Sequence, residues 1–265
     1  MKGGTLEQTT LVEGVNLVSA LAAIRLKIAK IRRLHGLRSM RRRVAYRYLR
    51  GTGIEIGALH NPLKVPSSAR VRYVDRMKVD DLRRHYPELR REKLVHVDIV
   101  DDGELLATVP DASQDFIIAN HFIEHCENPL LALDSMLRVL RPLGILYLAV
   151  PDKRFTFDAE RPATTIEHLL ADFASGGEGS RKAHYEEWVR HVSKIEDEAA
   201  CVKEVEKLMA MEYSIHFHSW TQREMLEMLL MVQQRHPFDI ETFVFNIEEN
   251  IFIIRKSDGD GQGGR

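Results

Sequence analysis

Cysteine is scarce: Cys126 and Cys201 are the only two in 265 residues. That leaves no disulfide framework and no cysteine-based zinc site, and it fits a reducing compartment. Long apolar runs are missing as well. The longest near the N-terminus, Leu17 to Ile24, is too short to span a bilayer and runs straight into Arg25. Lys2 alone precedes it as a positive charge, so no export signal is read and a cytoplasmic location is expected. No internal repeat is found. Net charge is nearly absent too, at −1, but the balance is uneven. Residues 1–52 hold 12 Lys/Arg and two acids, Glu7 and Glu13, a net of +10. The rest holds 26 basic and 37 acidic residues, a net of −11. Residues 1–50 therefore read as a basic arm that meets something anionic: a membrane surface, a nucleic acid, a charged glycan or the chain's own acidic body.

What is present is an apolar content of 44%, enough for one sizeable domain with additions. Residues 6–35 read as an amphipathic helix, with Leu17, Leu21, Ile24, Ile28 and Ile31 at helical spacing. Gly36 interrupts it, a second basic helix runs from Leu37 to Leu49, and Gly51 and Gly53 mark the entry to a core domain over 51–256. Strand-like and helical segments then alternate, which argues for an α/β sheet. The strands are GIEIG (53–57), RVRYVD (70–75), KLVHVD (93–98), DFIIAN (115–120) and GILYLAV (144–150), the last apolar enough for burial on both faces. The clearest helix spans 129–140, with Asn128 as its cap, Pro129 at its first position and Pro142 as its stop.

Residues 152–219 break the alternation as a mostly helical insertion, interrupted at GGEGS (176–180) and suited to cover a crevice as a lid. Thr164 to Glu167 and Thr221 to Glu224 each have the form of a capping box, the second opening a helix to Gln233. FDIETFVFN (238–246) and IFIIRK (251–256), joined by a turn at 247–250, form an antiparallel pair. Residues 257–265 read as a flexible tail.

The chemistry begins at Glu55-Ile-Gly-Ala-Leu-His-Asn-Pro62. A strand running into a glycine turn at the C-terminal edge of a sheet makes a crevice for a nucleotide-like ligand, and Gly57 lets the backbone come close to it. Asp75 ends the next strand, where a carboxylate accepts hydrogen bonds from both hydroxyls of a ribose. Asp98 ends the third and can take the exocyclic amine of adenine. A dinucleotide is disfavoured, because the GxGxxG turn that holds a pyrophosphate is missing: Gly57 is followed by Ala58, Leu59, His60 and Asn61.

Five stretches, EIGALHNP (55–62), YVD (73–75), VDI (97–99), FIIANHFIEH (116–125) and LRVLRPLGILYLAVPDKR (137–154), resemble class I S-adenosylmethionine (SAM)-dependent methyltransferases of the group called type 11. AVPDKRFTFDAERPATT (149–165) further resembles a bacterial subgroup associated with glycan biosynthesis. The resemblance covers 53–165 well and 213–255 loosely, and it leaves the first 50 residues outside. It departs from the family in carrying one glycine in the first motif and Leu143 where glycine is usual. It implies a Rossmann-like, seven-stranded, mostly parallel sheet with a C-terminal antiparallel hairpin, and SAM as cofactor. It also implies that Glu55, Gly57 and Ala58 lie beside the methionine part, that Asp75 holds the ribose, and that Asp98 and Ile99 frame the adenine. Asn120 and His121 would pass near the methyl group.

The histidines leave several readings open. His121-Phe-Ile-Glu124-His125 has the HxxEH form of a zinc peptidase, but sits after a strand rather than inside a long helix. It also resembles the metal-binding segment of ubiquinone-pathway O-methyltransferases, with His121, Glu124 and His125 as ligands of a divalent ion. The blander account has Glu124 and His125 satisfying loop partners. His216-Phe-His218 puts two rings on one face of an extended segment. They face the substrate, or they pack a junction anchored by Trp220. His168, His184 and His191 read as surface residues of the insertion. Lys153, Arg154 and Arg161 hold an anionic substrate or pair with Asp152, Asp158 and Glu160.

The expected activity is methyl transfer to a hydroxyl of a sugar, a glycan or another small molecule. His121, His125 and His218 are the candidate general bases. One rival is an RNA methyltransferase that uses the basic arm, although no (N/D)PPY-type clamp follows the fourth strand. A second is an enzyme at the inner face of a membrane, touching lipid through residues 6–50. A third is a binding module that keeps the fold without the activity. Metal use and oligomeric state stay open.

Overall fold

A computed structural model describes Lys27 and residues 33–258. The chain divides into two compact units, Met1–Arg41 and Arg42–Arg265. In the first, residues 33–41 are helical. Gly36 lies inside that helix rather than ending it. A single glycine costs a helix about 1 kcal/mol relative to alanine, which weakens it without breaking it. The amphipathic helix expected over 6–35 lies almost wholly outside the described residues.

In the second unit, helix α1 (42–48) leads into a sheet of seven strands in the order β3-β2-β1-β4-β5-β7-β6. Strands β1 (Gly51–Ile56), β2 (Ala69–Asp75), β3 (Ile99–Val100), β4 (Gln114–Asn120) and β5 (Leu140–Pro151) pair in parallel. Strand β7 (Glu249–Lys256) joins β5 antiparallel, and β6 (Phe238–Asn246) closes the edge as its hairpin partner. This is the Rossmann-like sheet expected from the sequence. Helices α2 (Val79–His85), α3 (Pro129–Val139) and α7 (Gln222–Gln233) complete the layers. Phe116, Ile117, Ile118 and Ala119 of β4 are fully buried, as are Leu146 to Val150 of β5. Leu130, Leu133 and Leu137 of α3 and Met225, Met228, Leu229 and Val232 of α7 pack into the same core.

Three local expectations are corrected. The third strand is two residues, Ile99–Val100, and not 93–98. Over 93–98 the carboxylate of Asp98 accepts the Tyr73 N–H at 2.8 Å, which a neighbouring strand's carbonyl would otherwise take. The cap of the first insertion helix is Thr165, whose side chain accepts from the N–H of His168. The box from Thr164 to Glu167 is therefore out of register by one residue. The hairpin turn is also tighter than expected, with Ile247 and Glu248 alone between β6 and β7.

The insertion folds as α4 (Ile166–Ser175), α5 (Glu178–His191) and α6 (Glu198–Ala210). It carries a small core of its own, built on Tyr185, Val189, Cys201, Val205, Ile215 and Phe217. Gly176 and Gly177 both have positive φ, 89° and 81°, so the chain reverses between α4 and α5. A Cβ on Gly177 would fall 2.9 Å from the Glu127 carbonyl oxygen. Among the described residues no helix is long and apolar enough to cross a membrane.

Candidate active site

The order of the strands reverses between β1 and β4, and the crevice of such a sheet lies past the C-terminal ends of those strands. Gly57 follows β1 there with φ 64°, a left-handed conformation that favours glycine. A Cβ on it would meet only the Phe122 ring, at 4.0 Å, so the space above the turn is open. Its N–H donates to Val74 O at 2.9 Å, which sets Gly57 beside the end of β2 and next to Asp75. Burial pushes the Asp75 carboxyl up to about 6, against the N–H groups of Arg76 and Met77 and the Arg76 charge, which favour the anion. An apolar recess lined by Ala58, Leu59, Tyr73, Leu94 and Val97 adjoins it.

The other residues expected at the cofactor are held by neighbours within the fold. Glu55 is buried and accepts the Leu63 N–H with both oxygens, at 2.9 and 3.1 Å, so it ties the loop after β1 back onto the strand. Ala58 is buried behind Gly57. Asp98 is held by Tyr73, and Ile99 pairs with Val74. Asn120 ends β4 and donates to Glu55 Oε1 at 3.4 Å, while its own Oδ1 is buried without a partner.

His121 follows with φ 49° and is anchored by its N–H to Ala149 O at 2.8 Å. Its Nε2 lies 2.8 Å from Oε2 of Glu249, a fully buried carboxylate whose other oxygen accepts from Asn246 at 2.6 Å. Glu249 was not singled out in the sequence. It arrives from the far end of the chain because β7 pairs with β5 and sets Glu249 opposite Pro151, at the edge where β4 also ends. The signal available was an acid opening the final strand, just ahead of its apolar run Ile251–Ile254.

Glu124 is fully buried, and neither of its oxygens has a hydrogen bond; burial raises its carboxyl. Its oxygens and the rings of His125 and His216 offer metal-ligand atoms within 4.8 Å of one another. His121 Nδ1 stands 3.9 Å from Glu124 Oε1, with its Nε2 given to Glu249. His125 is held by its Nδ1 to Ile215 O at 2.8 Å, and burial followed by the neighbouring His216 lowers it to about 3. His216 Nδ1 meets Asp158 at 2.7 Å. His218 is fully buried, and burial followed by His184 lowers it well below the ordinary histidine range.

The cations near the cleft mouth have internal partners. Arg161 is buried between Asp158, Glu187 and the Phe217 carbonyl, Arg154 grips Asp152 with two nitrogens, and Lys153 donates to Ala159 O. His184, expected at the surface, is buried, and half-exposed His168 meets it at 3.0 Å. Glu104 is another group that sequence reasoning missed. It accepts from the N–H groups of Glu127 and Asn128 at the start of α3, and burial raises it to about 7.

Open space at Gly57, the Asp75 carboxylate beside it and the unpartnered Asn120 Oδ1 fit a nucleoside carrying a polar amino-acid end. Residues 51–148 match a family described as a methyltransferase domain. A search of curated proteins finds no match. Among solved structures, a SAM-dependent methyltransferase from Aquifex aeolicus is 10% identical, with 79% of this chain and 84% of that chain covered and a TM-score of 0.41. One from Methanosarcina mazei is 17% identical, with 80% and 95% covered and a TM-score of 0.42. A third, from Rhodobacter sphaeroides, carries a zinc-dependent alcohol dehydrogenase description at 16% identity, with 79% and 85% covered and a TM-score of 0.44. At such scores these likenesses say nothing about the reaction, and the family match carries the conclusion. Over residues 51–148 the chain carries a methyltransferase domain, and S-adenosylmethionine is its cofactor.

Proposed function

We propose that the domain methylates a hydroxyl of a sugar or glycan, with His121 as general base. The observation that carries this reading is the 2.8 Å contact between His121 Nε2 and buried Glu249. A hydroxyl is a poor nucleophile until it sheds its proton. With Nε2–H given to Glu249, Nδ1 bears the lone pair and is the proton acceptor. His121 is about one-third exposed and sits directly past β4, whereas His125 and His218 are enclosed. SAM supplies the electrophilic methyl group when bound. Asp75 holds its ribose, Gly57 admits its amino-acid end, and Asn120 lies near the transferred group. Oxygen is preferred to nitrogen as acceptor on the glycan-associated likeness of residues 149–165. The basic segment over 6–50 brings the enzyme to an anionic surface at the inner face of a membrane.

The test is transfer of labelled methyl from SAM to a panel of free sugars, lipid-linked glycans and RNA. Label on a sugar hydroxyl supports the reading; label on RNA alone replaces it with the nucleic-acid alternative. His121→Ala should lower kcat by roughly 10²–10⁴-fold and leave SAM affinity unchanged. SAM binding with no loss of transfer in that variant removes His121 from the reaction.

A further inference from the structure

Four polar side chains that play no part in the reaction above converge inside the insertion. His168 and Asp172 stand four residues apart on α4, and so on one face of it. His184 comes from α5, and His218 from the segment that returns to the core. His168 Nε2 lies 3.0 Å from both His184 Nε2 and Asp172 Oδ2, and His184 Nε2 is 3.9 Å from the same oxygen. The His218 ring centroid is 4.8 Å from that of His184 and 5.6 Å from that of His168. One ligand-type atom from each of the four falls within 4.8 Å of the others.

The hydrogen bond between His168 and His184 leaves two buried atoms of the cluster unsatisfied. Asp172 Oδ2 is buried and has no hydrogen bond, although two imidazole nitrogens stand near it. His218 Nδ1 is buried and also unpartnered, while its Nε2 faces the Glu127 carbonyl at 3.5 Å. Asp172, His184 and His218 are all at least nine-tenths buried. A carboxylate oxygen and a ring nitrogen left bare in a protein interior are costly, and a central cation would satisfy both.

We propose that His168, Asp172, His184 and His218 bind one zinc ion that cross-links the insertion, tying α4 and α5 to the segment that returns to the core. Three imidazoles and one carboxylate are a tetrahedral donor set of the kind zinc takes, whereas calcium and magnesium take six or more oxygens. Four protein ligands close the coordination sphere, which makes the ion structural rather than catalytic. A ring nitrogen must be unprotonated to bind a metal, and burial already lowers His184 to about 4. The carbonyl at Glu127 would then hold the second nitrogen of His218, as an outer partner that orients a ligand ring. The ion would join α4, α5 and the return at 218, adding to the apolar contacts that Tyr185 and Val189 of α5 already make with Ile215 and Phe217. None of this depends on which acceptor is methylated.

The deciding measurement is the metal content of the full chain, purified without metal-affinity steps and dialysed against zinc chloride. One zinc per chain is expected, lost in Asp172→Ala and His184→Ala and retained in Glu124→Gln and His191→Ala. Chelation should lower the melting temperature by on the order of 10 °C, and zinc should restore it. Should the alanine variants fail to fold, cobalt(II) titration of the wild-type chain decides. An intense visible spectrum of tetrahedral form, saturating at one equivalent, upholds the site. A zinc-free wild-type chain with no cobalt spectrum overturns it. So does zinc that survives loss of Asp172 and His184, or that is lost only in Glu124→Gln.

Discussion

At the scale of single residues, Asp75 carries the sharpest consequence. Its carboxyl is raised to about 6, chiefly by burial. Only the ionised form accepts hydrogen bonds from two hydroxyls at once, so protonation would weaken the hold on the cofactor's ribose proposed for Asp75. Affinity for SAM is then expected to be level above pH 7 and to fall by about tenfold by pH 5, one decade per unit below the raised value. Titration calorimetry at pH 8, 6 and 5 measures this. Asp75→Asn should bind weakly at every pH with no such slope. A wild-type affinity constant down to pH 5 would mean that the carboxylate does not touch the cofactor. The same paired reasoning separates Asp75 from Asp98, whose oxygen is already committed to the Tyr73 N–H and leaves less to offer a ligand.

At the scale of elements, Glu104 shows two effects in opposition. The start of α3 favours an anion, and Glu104 takes N–H groups from Glu127 and Asn128 there. Burial wins, and the carboxyl rises to about 7. A folded-state value above the unfolded one means that stability is full below pH 4.5 and is lost as pH climbs through 7. The difference corresponds to about 3 kcal/mol. Urea unfolding of wild type against Glu104→Gln should show the wild type losing ground between pH 5 and pH 8, and parallel curves would refute the shift. Elements of this kind mark where sequence reading succeeds. The strands at β1, β2, β4, β5 and the final hairpin were legible because apolar runs and turn residues bracket them. The true capping box, Thr221 with Glu224, was legible because both partners lie within one turn. The two-residue β3, the slipped cap at Thr165 and the uninterrupted helix through Gly36 were not, since tertiary pairing or one neighbouring residue decides each. In the candidate site, the positions of Gly57 and Asp75 at strand ends could be read from the sequence. The partner of His121 could not, because Glu249 stands far along the chain and reaches it only through strand pairing. Nor could the histidines of α4 and α5, which look solvent-facing until the return segment packs His218 against them.

At the scale of the whole molecule, charge is what the fold leaves unexplained. A net of +10 in residues 1–52 against −11 in the remainder is more than solubility requires. Each basic residue near an anionic bilayer contributes about 1 kcal/mol, screened within a Debye length of roughly 10 Å at 0.1 M salt. A segment of that charge is thus expected to hold the full chain on vesicles of mixed neutral and anionic lipid at low salt and to release it as salt rises. A chain that begins at Gly51, retaining the sheet and the insertion but not the cations, should stay in solution throughout. Flotation of both forms with neutral and with anionic vesicles separates the cases. Binding that requires anionic lipid and the first 50 residues supports a surface enzyme whose acceptor is presented at a membrane. Binding to RNA but not to vesicles, with the same salt dependence, would move the acceptor to nucleic acid while leaving the methyl-transfer site as it stands. Binding to neither would mean that the cations are matched within the chain itself, and the acceptor would then have to be a freely diffusing sugar.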